Sequence, residues 1–249
     1  MYRFFVEKEQ IGEKEITISG EDVKHIARVL RMHPGEEILI SDKDSMDYRC
    51  EIKELLNDKI LASILDVEGV NRELGAKIYL YQALPKSTKM ELVIQKAVEL
   101  GACGIGPMET ARCVVKLDEK KKKSKQERWL SVSESAAKQS KRVIIPEIFP
   151  VQSFKKVLEE TADFEYRLFC YEGAVNYSQT HALICQVKPG DRVAIFIGPE
   201  GGFAPSEVAM ALEAGCKEVS LGHRILRTET AGLAILSALM LALEGKKEV

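Results

Sequence analysis

Two loops toward the C-terminal end gather residues suited to gripping a ligand with backbone groups. The first is Ile197-Gly198-Pro199-Glu200-Gly201-Gly202-Phe203, and the second is Leu221-Gly222-His223-Arg224-Ile225-Leu226-Arg227-Thr228-Glu229-Thr230-Ala231. Each follows a short apolar run that reads as a buried strand, and each leads into a helix. Gly201 and Gly202 permit positive φ and let a ligand approach without a Cβ in the way. Pro199 stiffens the turn, and Pro205 suits the first position of a helix. In the second loop Arg224 and Arg227 are interleaved with Ile225 and Leu226, which offers an apolar slot for a ring and donors for its edge; Thr228 suits an N-cap. The plainer reading of both is a pair of connectors, with Ile225 and Leu226 plugging the core. The first loop is neither G-x-G-x-x-G nor G-x-x-x-x-G-K-[ST], so the dinucleotide and Walker readings fail.

Three other groups carry polar chemistry. Glu134, Gln139, Arg142 and Pro146 end a long charged helix; Gln139 and Arg142, three apart, can face one cleft, or all can be ordinary helix surface. Arg3, Lys24, His25, Arg28 and Arg31 make a basic group in an otherwise acidic region, fit for phosphate or simply solvated. The run Lys120-Lys121-Lys122-Lys123 reads as a solvated helix face.

These residues need a scaffold, and the pattern changes along the chain. Residues 1–70 show short strand-like runs at 2–6, 15–19, 37–41, 48–53 and 60–67, separated by polar turns, with one helix at 21–30 whose apolar face is Val23, Ile26, Ala27 and Leu30; this is a small barrel or sandwich. From about residue 72 strands and helices alternate. Strands are expected at 78–83, 105–108, 147–149, 166–171, 192–197 and 218–221. Helices are expected from a Thr88–Glu91 capping box to Gly101, over 118–140, and over 229–245. The alternation predicts a parallel α/β sheet. The last helix is apolar on nearly every face, so it is buried all round or shared with a second subunit.

Composition narrows the class. The chain has 249 residues and a net charge of −2; residues 1–70 carry 10 Lys+Arg against 16 Asp+Glu, a net of −6, and residues 71–249 carry 26 against 22, a net of +4. Polyanion binding must therefore be local. Cysteines 50, 103, 113, 170, 185 and 216 form no C-x-x-C and only four histidines are present, so neither a metal nor a disulfide scaffold is expected, and the thiols read as reduced and cytoplasmic. No secretory signal is evident, and the apolar stretch 231–243 is short of the roughly 20 residues of a membrane span.

Taken together, the residues resemble the RsmE family, the 16S ribosomal RNA uridine-N3 methyltransferases of the SPOUT superfamily. The resemblance runs through Arg3-Phe4-Phe5, His25-x-x-Arg28-Val29-Leu30-Arg31, Lys86 with Lys89, Glu99-Leu100-Gly101, Glu134-x-x-x-x-Gln139-x-x-Arg142-x-x-x-Pro146 and the two loops. It implies a PUA-like β-barrel domain over 1–71 and a SPOUT domain over 72–249 with a deep trefoil knot at about 196–245. It further implies a homodimer, no membrane association, and 16S rRNA or the assembled small subunit as partner. S-adenosylmethionine would be held by Gly198, Pro199, Glu200, Gly201, Gly202, Leu221, Gly222, Ile225, Leu226, Arg227, Thr230 and Ala231. RNA would be held by Arg3, Lys24, His25, Arg28, Arg31 and Lys86. Arg142 would stabilise charge on the uracil, Gln139 would read its edge, and Glu134 or Glu229 would serve as base. Ala204, where the family often has Ser or Thr, implies a missing N-cap hydroxyl, and Lys138 stands where an acidic residue is common. A non-catalytic RNA-binding or ribosome-assembly protein, or a SPOUT enzyme acting at another RNA position, are the alternatives.

Overall fold

Period-two alternation builds the first sheet. The computed structural model describes residues 1–44, 46–69, 73–174 and 176–246. Strands β1 (Tyr2–Phe5), β2 (Glu15–Ser19), β3 (Glu37–Ser41), β4 (Met46–Leu55) and β5 (Lys59–Gly69) pair in the order β1-β3-β4-β5-β2. Only β1 and β3 run parallel. Ile16 and Ile18, Ile38 and Ile40, Cys50 and Ile52, and Ile60 and Ala62 sit two apart on the inner face and fill the core, while their neighbours point outward.

The expected helix at 21–30 is only partly α-helical. One turn, α1 (Glu21–Lys24), opens into a π-helical turn over His25–Val29, where Leu30 N–H reaches His25 O at 2.9 Å. The extra residue in the turn rotates the apolar face: Val23 and Ile26 are buried, Ala27 is exposed and Leu30 half-buried. Arg31 then adopts a φ of 54°, and Met32 N–H closes the turn on Ile26 O at 3.1 Å.

The chain divides into two compact units, residues 1–73 with 137–145, and residues 74–136 with 146–246. Against the expected division at 71/72, the segment from Ala137 to Ile145 packs with the first unit. Its anchors are specific. Ser41 Oγ donates to Val143 O at 3.1 Å, Arg3 donates to Arg142 O at 3.3 Å, and Lys138 pairs with Asp22 at 3.0 Å.

In the second unit the strands are near-continuous apolar runs, as expected of a sheet covered on both faces. β6 (Lys77–Ala83), β7 (Gly104–Glu109), β8 (Glu147–Ile148), β10 (Tyr166–Cys170), β11 (Arg192–Ile197) and β12 (Lys217–Val219) lie in the order β12-β10-β11-β6-β7-β8, with β9 (Gln152–Ser153) also paired to β7. Every pairing is parallel. Helices α2 (Lys89–Glu99), α3 (Glu119–Gln139), α4 (Phe154–Glu160), α5 (Tyr177–Gln186), α6 (Pro205–Glu213) and α7 (Thr228–Glu244) make the connections. The expected capping box at α2 does not form: Thr88 is the N-cap but its side chain caps nothing, and Glu91 turns to Arg128 at 3.0 Å. Phe154, Phe169, Phe196 and Phe203 form one aromatic cluster, with Phe169 and Phe203 centroids 4.4 Å apart. Phe203 thereby pins the glycine loop's far end to the core. No helix among the described residues is long and apolar enough to cross a membrane.

Candidate functional site

Parallel strands bring all their carboxyl ends to one edge, and ligand sites of open α/β sheets lie there. In the second unit this edge carries a cavity of about 560 Å³, inside the range of small-molecule sites. Its walls are the loops after β10 (Tyr171, Glu172, Ala174), β11 (Gly198 to Phe203) and β12 (Ser220 to Arg227), with Thr228 and Ala231 of α7 and Lys89 of α2.

Of the twelve residues expected at a cofactor, Gly198, Pro199, Glu200, Gly201, Gly202, Leu221, Gly222, Ile225, Leu226, Arg227 and Ala231 line this cavity, and Thr230 does not. The reason is helical phase. The helix starts one residue earlier than expected, so Arg227 is the N-cap and Thr228 lies inside the first turn. Thr228 and Ala231, three apart, face the cavity, and Thr230 is exposed.

Thr228 serves as a clasp instead of a cap. Its hydroxyl donates to Gly198 O at 2.6 Å and accepts from Gln82 Nε2 at 2.8 Å. The fully buried Gln82 also donates to Ala83 O at 3.0 Å, which fixes the amide so that Oε1 points toward Gly232 and has no hydrogen-bond partner. A Cβ at Gly232 would lie 3.6 Å from that oxygen. The chain Gln82–Thr228–Gly198 thus ties the middle of the sheet to both loops.

Gly202 is favoured by its backbone conformation, and a side chain there would also have to push the Glu172 carboxylate aside. Its φ is 67°, and a Cβ there would lie 2.9 Å from Glu172 Oε1. Around it sit opposed charges. Lys89 Nζ lies 3.3 Å from Glu200 and 3.2 Å from Glu229. Glu200 also accepts the Lys86 N–H at 3.1 Å. Burial alone would raise the Glu200 carboxyl, but N–H donors from Glu200 and Lys86 and the Lys89 ammonium outweigh it and hold the group below the usual carboxylate range. Its hydrogen bonds therefore stabilise the fold above the unfolded pKa and are lost as pH falls through the lower folded value.

Sequence reasoning passed over several contributors. The loop after β10 was readable only as a strand end, though Glu172-Gly173 marked a turn. Arg112 donates to Gly201 O at 2.9 Å, and Ala111 N–H reaches Glu207 Oε1 at 2.7 Å. Glu207 also accepts the Ala204 N–H at 2.8 Å. The first turn of α6 is thereby braced without the hydroxyl that Ala204 lacks.

The remaining expected residues separate. Lys24, His25, Arg28 and Arg31 are exposed on the α1 and π-turn segment, and Lys86 is exposed in the second unit. Arg3 is 6% exposed and bidentate to the buried Asp47 at 2.6 and 2.7 Å, because a buried guanidinium needs a carboxylate. Arg142 is buried in the same way. It is 4% exposed, and its Nε reaches the Glu73 carboxylate at 3.0 and 3.2 Å. Glu134 is half-buried on α3, and Gln139 is exposed at the helix end.

The chain thus carries a small β domain and a parallel sheet with a glycine-loop cavity at its carboxyl edge, and the class of protein built this way is given by two family matches. Residues 72–240 match the RNA methyltransferase domain family, and residues 18–65 match the RNA methyltransferase PUA domain family. The chain is 39% identical over 245 residues to ribosomal RNA small subunit methyltransferase E of Bacillus subtilis (strain 168), covering 96% of each. A Legionella pneumophila protein solved with the bound cofactor SAM is 33% identical, with a TM-score of 0.87 over 97% of both chains. Ribosomal RNA small subunit methyltransferase E from Neisseria gonorrhoeae, solved with S-adenosyl methionine, is 29% identical, with a TM-score of 0.84 over 96% of both. This chain belongs to the ribosomal RNA small subunit methyltransferase E family.

Proposed function

We propose that the chain is an S-adenosylmethionine-dependent methyltransferase acting on N3 of one uridine in the 16S rRNA of the small subunit. The observation that carries this reading is the cavity at the carboxyl edge, walled by backbone at Gly198, Gly201, Gly202 and Gly222. A cradle that a Cβ at Gly202 would fill suits close backbone contact. Glu172 and Glu200 beside Arg224 and Arg227 suit a ligand carrying both charges. When bound, S-adenosylmethionine supplies a methyl carbon activated by its sulfonium.

The chain's own part is binding, orientation and proton management. Uridine N3 is an imide nitrogen that must lose its proton before it presents a lone pair. Glu229, 3.2 Å from the Lys89 ammonium, and Glu134 are the proposed acceptors. Gln139 is proposed to read the uracil edge. With its guanidinium on Glu73, Arg142 is proposed to hold the Gln139-bearing segment instead of touching the base. Lys24, His25, Arg28, Arg31 and Lys86 are proposed to grip RNA phosphates.

We also propose a deep trefoil knot at about 196–245, in a cytoplasmic homodimer. The return of the chain from edge strand β12 to pack α7 on α2 and β11 supports the knot. Leu241, a large apolar side chain left exposed on α7, supports the dimer. The decisive experiment transfers labelled methyl groups to small-subunit particles and identifies the product nucleoside by mass spectrometry. N3-methyluridine is the expected product, and any other methylated nucleoside overturns the position.

A further inference from the structure

We propose that the first turns of α3, centred on Lys120 and Lys123 with Lys116 before them, form a second phosphate-binding surface. It would take the backbone of the RNA whose base enters the cavity, and this rests on the methyltransferase reading above. The argument begins with helix electrostatics. The amino end of a helix carries partial positive charge, so cations there are unfavourable. Five of the first seven residues of α3 are lysines, set against Asp118 and Glu119. Lys121 pairs with Asp118 at 3.3 Å, and Lys122 pairs with Glu119 at 3.1 Å and Glu109 at 3.4 Å. Lys120 and Lys123, three apart and so on one face, are exposed and make no ion pair among the described residues. Stability alone favours the opposite sign at these positions; an anionic partner explains the sign observed.

Placement supplies the second argument. Lys122 holds Glu109, the last residue of β7, and β7 ends on the same edge as β11 because the sheet is parallel. The connection from β7 to α3 passes the glycine loop, where Arg112 holds Gly201 O. The basic turns and the cavity therefore share one edge of the second unit. Mobile ammonium groups on a helix surface suit a repeating phosphate backbone read without sequence preference.

The test compares full-length wild type with K120Q/K123Q and K120E/K123E. Binding to naked 16S rRNA, to assembled small subunits and to a non-cognate RNA as long as the 16S rRNA is measured between about 50 and 200 mM salt. The glutamine variant is expected to lose roughly tenfold in affinity at the low-salt end, with its log–log salt slope reduced by about 1.5; the glutamate variant should lose more. S-adenosylhomocysteine affinity by calorimetry should be unchanged, and the glutamate variant should melt no lower than wild type. Unchanged RNA affinity and slope, with a raised melting temperature, overturn the proposal in favour of a solvated face. Weakened binding to assembled subunits but not to naked RNA overturns it in favour of an acidic protein surface. The non-cognate arm reads the surface even if no methyl transfer to small-subunit RNA occurs, so the two failures are distinguishable.

Discussion

At the scale of single residues, Thr228 has the most to say. One hydroxyl both donates to Gly198 O and accepts from Gln82, so replacing it by methyl removes a donor from Gly198 O and an acceptor from one of the two Gln82 amide hydrogens. Thr228→Val, nearly isosteric, should destabilise the protein by about 1–3 kcal/mol in urea unfolding, while Thr228→Ser should retain most of the stability. The glycine loops were legible in sequence because glycine has few other uses between an apolar strand and a helix. Gln82 was not, because one amide inside an apolar strand carries no periodic signal; only its partner across the sheet explains it. The burial of Arg3 and Arg142 was illegible for the converse reason. A cation's type does not reveal whether a carboxylate waits for it, and Asp47 and Glu73 are far from them in sequence.

At the scale of elements, boundaries were more legible than handedness and phase. β2, β3 and β11 fall where alternation or apolar runs placed them, and α7 is displaced by one residue. The segment 21–31 kept its inward Val23 and Ile26 but gained a π turn, which hydrophobic spacing alone could not foretell. Its end is strained: Arg31 sits at a φ of 54°, where a side chain costs about 1 kcal/mol. Arg31→Gly should therefore leave stability unchanged or raise it by up to about 1 kcal/mol, despite the greater freedom of the unfolded chain. If the segment grips phosphate, the same change lowers the salt dependence of RNA binding. Thermal melts and salt titrations of the one variant read both effects.

At the scale of the whole molecule, the parallel sheet was readable from alternating strands and helices, whereas strand order was not. Nothing local places β12 beyond β10 or sends α7 back across β11; that is a matter of how non-local pairings compete. Nor did the pattern foresee that Ala137–Ile145 would pack with the β unit, since two of its anchors are backbone carbonyls that any sequence offers and the third pairs Lys138 with an aspartate 116 residues away. The long apolar helix was ambiguous between self-burial and sharing. It buries Ile235, Leu236, Leu239 and Leu243 internally and leaves Leu241 67% exposed. On the proposed homodimer, Leu241→Glu should shift sedimentation toward monomer at micromolar concentration while circular dichroism stays native; wild type sedimenting as a monomer overturns the dimer, and an unmoved dimer places the interface elsewhere.

The clasp at Thr228 also sets a timetable for biosynthesis. Gln82 meets its partner across 146 residues and Gly198 across 30, and the cavity wall is completed only at Ala231 of a 249-residue chain. The site is therefore closed only once the residues up to Ala231 have been made. A chain that stops short of Thr228 lacks the clasp on Gly198 and Gln82 and the last part of the cavity wall.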